Sequence, residues 1–436
     1  MNTKAESSGS AKASGSAKAS VAQSKNAQSG AKGANAKSAK AATNAEVAAI
    51  TKEVLREASE LRGLSIRWPV QSGAQPRATI ERMITRELDK GMTANEMHAS
   101  ELSLRKLGMV PPGFRLRPFY VALMTEQVAG YYDPRARKLF LADWIDVGSQ
   151  RVVAVHELTH ALQDQHFNLR RFEKWPPGES DSRLAATALI EGDATLAMTQ
   201  YITRNPLRMV PLLKAAITGM GPTAQYNAAP RALRESLIFP YQQGMQWATQ
   251  VHARGGWKLL SKAFNDLPQS TEQILHADKY FRRDKPVRVV LPDVSKVLGR
   301  GWKRVEQDVN GEWGLYLVLD EYLKNKEESQ RATAGWGGDR YAVYEGPKGQ
   351  TLIAQMTVWD TVSDAIDFKR AYAKRTGLRY GVKLAKSIWF SGVPRGSQTW
   401  RTKEGWVTVE WRDKRVLILE GAPNNRLPQL SRALWK

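Results

Sequence analysis

The segment VVAVHELTHALQDQHF at 152–167 constrains this chain more than any other stretch of it. Its apolar residues recur at helical spacing, with Val152, Val153, Val155, Leu158 and Leu162 supplying a face to bury. Residues four apart on a helix share one side, so His156 and His160 project together and can reach a single metal ion. Glu157, one position on, stands beside the open side of such an ion, where a carboxylate can take a proton from bound water. With six His in 436 residues, independent draws would place a His-Glu-x-x-His run about 0.005 times per chain. The chain has no Cys, which excludes disulfides, thiol catalysis and Cys-ligated zinc. Any metal therefore takes His, Asp or Glu, and the expected cofactor is Zn2+.

Catalytic zinc sites take three protein ligands, and two residues compete for the third position. His166 lies ten residues after His156, but Gln163 stands where a sharp turn back toward the metal would need Gly. On a continuing helix His166 would lie about 9 Å beyond His160 along the axis. Glu191, in LAATALIEGDATLAM at 184–198, is the better candidate. Around it Thr187, Ala188, Ala194 and Thr195 are small, as a helix needs if it is to bring a carboxylate close to an ion held by another. The competing role for Glu191 is a buried ion pair with an Arg such as Arg183. Asp193 or Asp164 could hydrogen-bond the far nitrogen of a ligand His, or be an ordinary solvated acid.

HELTH followed by Glu191 in EGDAT resembles the gluzincin class of zinc metallopeptidases, in particular bacterial proteins with VHELTHALQDQHF and EGDAT motifs. The similarity is dense over residues 119–200 and extends to FPYQQG at 239–244, STEQILH at 270–276 and GWGGDRY at 335–341. The resemblance implies His156, His160 and Glu191 as zinc ligands and Glu157 as general base and acid. It further implies a His or Tyr that stabilises charge on the carbonyl oxygen, for which His276 and Tyr241 are candidates, His276 slightly ahead and Tyr280 behind them. It also implies an edge strand that aligns peptide substrates, which Lys138–Ala142 or Val128–Tyr132 could supply; an ordinary hairpin covering the core is the equal alternative. One departure is Thr195, four residues after Glu191, where better-known gluzincins carry an acid.

The expected fold is α+β: a mainly helical zincin-like domain with a small β-hairpin before the active-site helix, and a C-terminal α+β module. Residues 1–45, built from Ala, Ser, Gly, Lys, Asn and Gln with GSAKAS repeated at 9–14 and 15–20, are expected to be a disordered tail. Residues 46–325 form the expected catalytic domain and 326–436 the module. Glu46 to Met109 reads as helical, VAGYYDPRARKLFLA at 128–142 as two strands around Asp133-Pro134, and 150–264 as broken helices. Arg288–Leu291 reads as a strand and Trp313–Leu323 as a helix. After Gly337 short strands dominate, at 340–344, 351–359, 406–411 and 416–419, interrupted by a helix at 363–375.

The net charge of +22 suggests a nucleic-acid partner only if the cations cluster. Six of those units belong to the tail and the rest are dispersed, with no zinc-finger spacing, RNP-like run or helix-turn-helix signature. No specific nucleic-acid binding is expected, and the basic tail allows weak contact with an anionic surface. The expected function is zinc-dependent hydrolysis of a peptide or protein substrate. The alternatives are a zincin-fold binding or structural protein without catalysis, and a basic protein that binds nucleic acid or anionic surfaces. No run of eighteen apolar residues and no signal peptide is encoded, so the chain as written reads as cytoplasmic, or as exported if its true start lies upstream. The sequence sets no oligomeric state.

Overall fold

The described residues contain two sheets, and the smaller one lies beside the HELTH helix. The structure is a computed structural model that describes residues 43–145, 147–210, 224–383, 388–389 and 395–436. The tail reading falls almost wholly on residues 1–42, outside the described residues. Its expected end at residue 45 is corrected, because helix α1 (Asn44–Arg62) starts at a capping box in which Thr43 and Glu46 satisfy each other's backbone N–H groups.

The first sheet contains β1 (Gln71–Gln75), β2 (Gly130–Asp133) and β3 (Lys138–Ala142) in the order β1-β3-β2. The hairpin read around Asp133-Pro134 is present, with Asp133↔Lys138 as its closing pair and Asp133 Oδ1 accepting from the N–H groups of Arg135 and Ala136. Strand β1 corrects the all-helical reading of 46–109. The sequence QSGAQ has almost no β propensity, and it is strand only because it pairs in parallel with β3, Gln71↔Lys138 to Gln75↔Ala142. Helices α2 (Arg77–Gly91) and α4 (Leu116–Gln127) pack beside this sheet, sharing a small core with Ala142 and Ile145, whereas α3 (Ala94–Leu107) packs on the second sheet.

Helix α5 (Val147–Phe167) buries Val155, Leu158 and Leu162 against Val47, Val54 and Leu61 of α1 and Leu139 and Leu141 of β3, and Val152 is buried as well. Helix α6 (Ser180–Arg204) packs on α5 and on α7 (Arg231–Ala263), which contains Pro240 and breaks at Gly255-Gly256. Helices α6 and α7 touch backbone to backbone. A Cβ on Gly192 would collide with Gly244, and one on Gly244 with the Ala188 carbonyl. The small residues read around Glu191 thus serve in part a contact with α7.

The second sheet has the order β4-β5-β6-β10-β9-β8-β7, from β4 (Lys303–Asp308), β5 (Trp336–Glu345), β6 (Thr351–Trp359), β7 (Ile388–Trp389), β8 (Arg395–Thr402), β9 (Gly405–Arg412) and β10 (Arg415–Ala422). Both faces are covered, which explains its near-continuous apolar strands. Along β10, Val416 and Ile418 pack under α8 (Gly311–Leu323) and α9 (Val362–Tyr380), while Leu417 and Leu419 pack on the opposite side with Val289, Leu291 and Leu430. Residues 288–291, read as a strand, are not one: they contribute Val289 and Leu291 to that core without joining the ladder. Strands β4 and β8 were not read from the sequence; β4, ahead of the expected boundary at 325/326, pairs with β5. The fold is α+β, and no helix among the described residues is long and apolar enough to cross a membrane.

Candidate metal centre

Helical spacing on α5 brings His156 and His160 into edge-on contact, ring centroids 4.7 Å apart, with 3.1 Å between their Nε2 atoms. Helix α6 delivers Glu191 from the other side, its Oε2 3.1 Å from His156 Nε2 and 3.3 Å from His160 Nε2. These three residues are the only His/Asp/Glu group among the described residues whose ligand atoms converge as a metal would require. Zinc bonds of about 2.0–2.1 Å at tetrahedral angles separate neighbouring ligand atoms by about 3.3 Å. The observed 3.1, 3.1 and 3.3 Å therefore match one face of a zinc tetrahedron, and the donor set of two imidazoles and a carboxylate suits that ion.

The proton positions agree with this fit. Gln163 Nε2 donates to Ile190 O at 3.0 Å and to Asp193 Oδ2 at 2.7 Å, so its Oε1 must face His160 Nδ1, 2.8 Å away. His160 then carries a proton on Nδ1 and can present the Nε2 lone pair to an ion. Without an ion, burial disfavours the His160 imidazolium but Glu191 outweighs it and pushes the group up to about 9. Burial likewise acts to raise Glu191, yet the two imidazoles hold its carboxyl well below the usual range.

Glu157 sits beside this cluster, its Oε2 accepting the Tyr132 N–H at 2.9 Å. Burial pushes the Glu157 carboxyl up while the neighbouring imidazoles pull it down, and burial wins. Tyr132 belongs to β2, which among the described residues pairs only with β3 and so is an edge of its sheet. Of the two strands read as candidate edges, β3 is central, and β2 is the one whose backbone meets Glu157.

Tyr241 lies on α7 with its ring 6.0 Å from that of His156, and 45% of the residue is exposed. The negative charge of Glu191, then burial, push its phenol well above the ordinary value, so it remains an O–H donor. His276 lies elsewhere. Its Nε2 is 2.9 Å from Glu312 Oε1, in a group with Glu272 and Lys279 at the start of α8. His166 turns to Ser65 O at 2.8 Å. Arg183 has no carboxylate partner among the described residues, and Glu191 takes the two imidazoles instead.

Sequence reasoning missed Gln163 as the partner of His160. Asp193 stands one step further out, bound to Gln163 and to Arg62, and Asp164 accepts from the Tyr132 hydroxyl at 3.0 Å. The signal was present, because Gln163 lies three residues after His160 on the same helix side. Thr195, at the position of the departure noted above, has a buried hydroxyl with no partner among the described residues.

A family described as a domain of unknown function (DUF8575) matches residues 297–431, which span the second sheet. No curated protein matches the chain. A solved structure from Chloroflexus aurantiacus, described as "a putative hydrolase with a novel fold", is similar with a TM-score of 0.36 at 15% identity, covering 55% of this chain and 89% of that one.

Proposed function

We propose that this protein is a zinc-dependent peptidase of gluzincin type, in which His156, His160 and Glu191 hold the ion. The observation that carries the reading is the triangle of 3.1, 3.1 and 3.3 Å between their ligand atoms, with Glu157 beside it. Zinc held there would polarise the scissile carbonyl and acidify a water molecule. Glu157 accepts the proton of the attacking water and returns it to the leaving amine, a role its position beside the two imidazoles allows. Tyr241 keeps its proton and donates to the carbonyl oxygen as negative charge develops there. The free side of β2 accepts an extended polypeptide by strand addition, which sets the peptide bond beside Glu157.

The test is zinc stoichiometry together with hydrolysis of an unstructured polypeptide. The expected result is one zinc per chain and hydrolysis abolished by a chelator. Glu157→Gln should keep the zinc while turnover falls about 10²–10⁴-fold. Full activity in Glu157→Gln would remove the assigned mechanism, and zinc binding without hydrolysis of any polypeptide would favour a binding protein on the same fold.

A further inference from the structure

The ring of His160 is the inner end of a buried chain of polar groups that reaches the C-terminus of α1. Gln163 Oε1 meets His160 Nδ1 at 2.8 Å, and Gln163 Nε2 donates to Asp193 Oδ2 at 2.7 Å. Asp193 Oδ1 accepts from Arg62 Nε at 2.6 Å, and the side chains of Arg62 and Asp193 are both 0% exposed. Arg62 is fixed in turn by the Ser261 hydroxyl at 3.1 Å and by the Trp257 ring, 4.6 Å from its guanidinium. Three elements distant in sequence thus converge behind one imidazole: the end of α1, the middle of α6 and the region after the break in α7.

Building on the zinc-site reading above, we propose that Gln163, Asp193 and Arg62 are positioning residues that fix the tautomer and ring plane of His160 for zinc. The direction of each bond supports this. An amide between two acceptors and an imidazole has one workable orientation: its NH2 faces Asp193 and Ile190 O, and its carbonyl oxygen faces Nδ1. A neutral amide, unlike a carboxylate, orients the ring without placing a second negative charge against it. The charge sits one residue back on Asp193, where Arg62 balances it. His156 has no such partner at Nδ1 among the described residues, so His160 is the anchored ligand and His156 the adjustable one. The arrangement also explains a full buried ion pair that no hydrophobic packing argument requires.

The experiment measures zinc affinity by competition with a chromophoric chelator, the visible spectrum of the cobalt(II)-loaded protein, and thermal unfolding without metal. Gln163→Met keeps the side-chain volume and removes all three hydrogen bonds, to His160, Asp193 and Ile190 O. It should weaken zinc binding about 10–100-fold and alter the cobalt spectrum, and it should lower the metal-free melt as well, because Asp193 Oδ2 and Ile190 O lose their buried donor. The exchange Gln163→Glu with Asp193→Asn rebuilds the link from His160 to Arg62 with its polarity reversed: the carboxylate now at position 163 accepts from His160 and from the amide NH2 now at position 193, whose oxygen accepts from Arg62, although Ile190 O loses its donor and Arg62 its balancing charge. It should bring affinity back to within tenfold of wild type. Wild-type affinity in Gln163→Met overturns the relay while leaving the zinc reading intact. If Gln163→Met does not fold, the double variant decides: folded with restored affinity, it supports the relay, and folded with affinity lowered tenfold or more, it overturns it. A wild-type chain that takes up no zinc overturns the proposed function and the relay with it.

Discussion

The contact between α6 and α7 makes Gly244 the position where one methyl group tests how the site is assembled. A Cβ there would lie closer than 3.0 Å to Ala188 O and at 3.0 Å and 3.2 Å from the carbonyl and α carbons of Ala188. These neighbours are helix backbone and cannot rotate away, so Gly244→Ala must separate the two helices by about 1 Å to reach ordinary contact distance. Overpacking of this kind costs about 1–3 kcal/mol. Replacing helical Gly by Ala returns about 0.5–1 kcal/mol through backbone entropy, which leaves a net loss of up to about 2.5 kcal/mol. The functional effect follows from what each helix carries. Of the residues proposed to hold zinc, His156 and His160 are on α5 and Glu191 is on α6, whereas Tyr241 is on α7, three residues before Gly244. Moving α7 outward displaces Tyr241 from His156 and leaves the three ligands together. Turnover should therefore fall by up to about 10²-fold with zinc affinity within a few-fold of wild type. Urea unfolding, chelator competition and hydrolysis of an unstructured polypeptide read the three quantities. Gly91→Ala, where a Cβ meets nothing within 4 Å, is the control for propensity alone. If Gly244→Ala were as stable as Gly91→Ala and fully active, the argument from close helix approach would be wrong.

Asp181 accepts from Thr271 and is pushed up to about 7 by burial, with further contributions from Asp339 and Glu312. A carboxyl raised on folding stabilises the native state below its unfolded value near 4, and that contribution disappears as pH rises through about 7, at most about 4 kcal/mol. Asp181→Asn should therefore be more stable relative to wild type at pH 8 than at pH 5 in urea melts; an identical offset at both pH values would refute the reasoning. In the second sheet, Glu420 is buried among Arg375, Arg379 and the Tyr372 hydroxyl. Arg375→Met should cost about 3–5 kcal/mol by leaving that carboxylate under-compensated, and adding Glu420→Gln should recover part of the loss. A single-variant cost under about 1 kcal/mol would show that Arg379 alone suffices.

What could be read without a structure follows from the range of each interaction. The pairing of His156 with His160, and the burial of Val152, Val155, Leu158 and Leu162, are set by positions on one helix, and periodicity reports them directly. Glu191 was recoverable because the small residues around it announce a close approach, although periodicity could not say to what, and Ala188 and Gly192 meet Gly244 of α7. Strand β1 was not legible, because QSGAQ becomes strand only in the presence of β3, and Arg288–Leu291 was misread because β-rich composition implies a partner strand that this segment lacks. The choice between His276 and Tyr241 shows the same limit. His276 follows a short helix capped by Ser270, but a cap says only how a helix begins, and His276 meets Glu312. Tyr241 reaches His156 because glycines on α6 and α7, which do no chemistry, let two backbones touch. The residues of the His/Glu cluster are thus chemically conspicuous, whereas those that bring elements together around it, such as Gly192, Gly244 and Arg62, become visible only through what they contact.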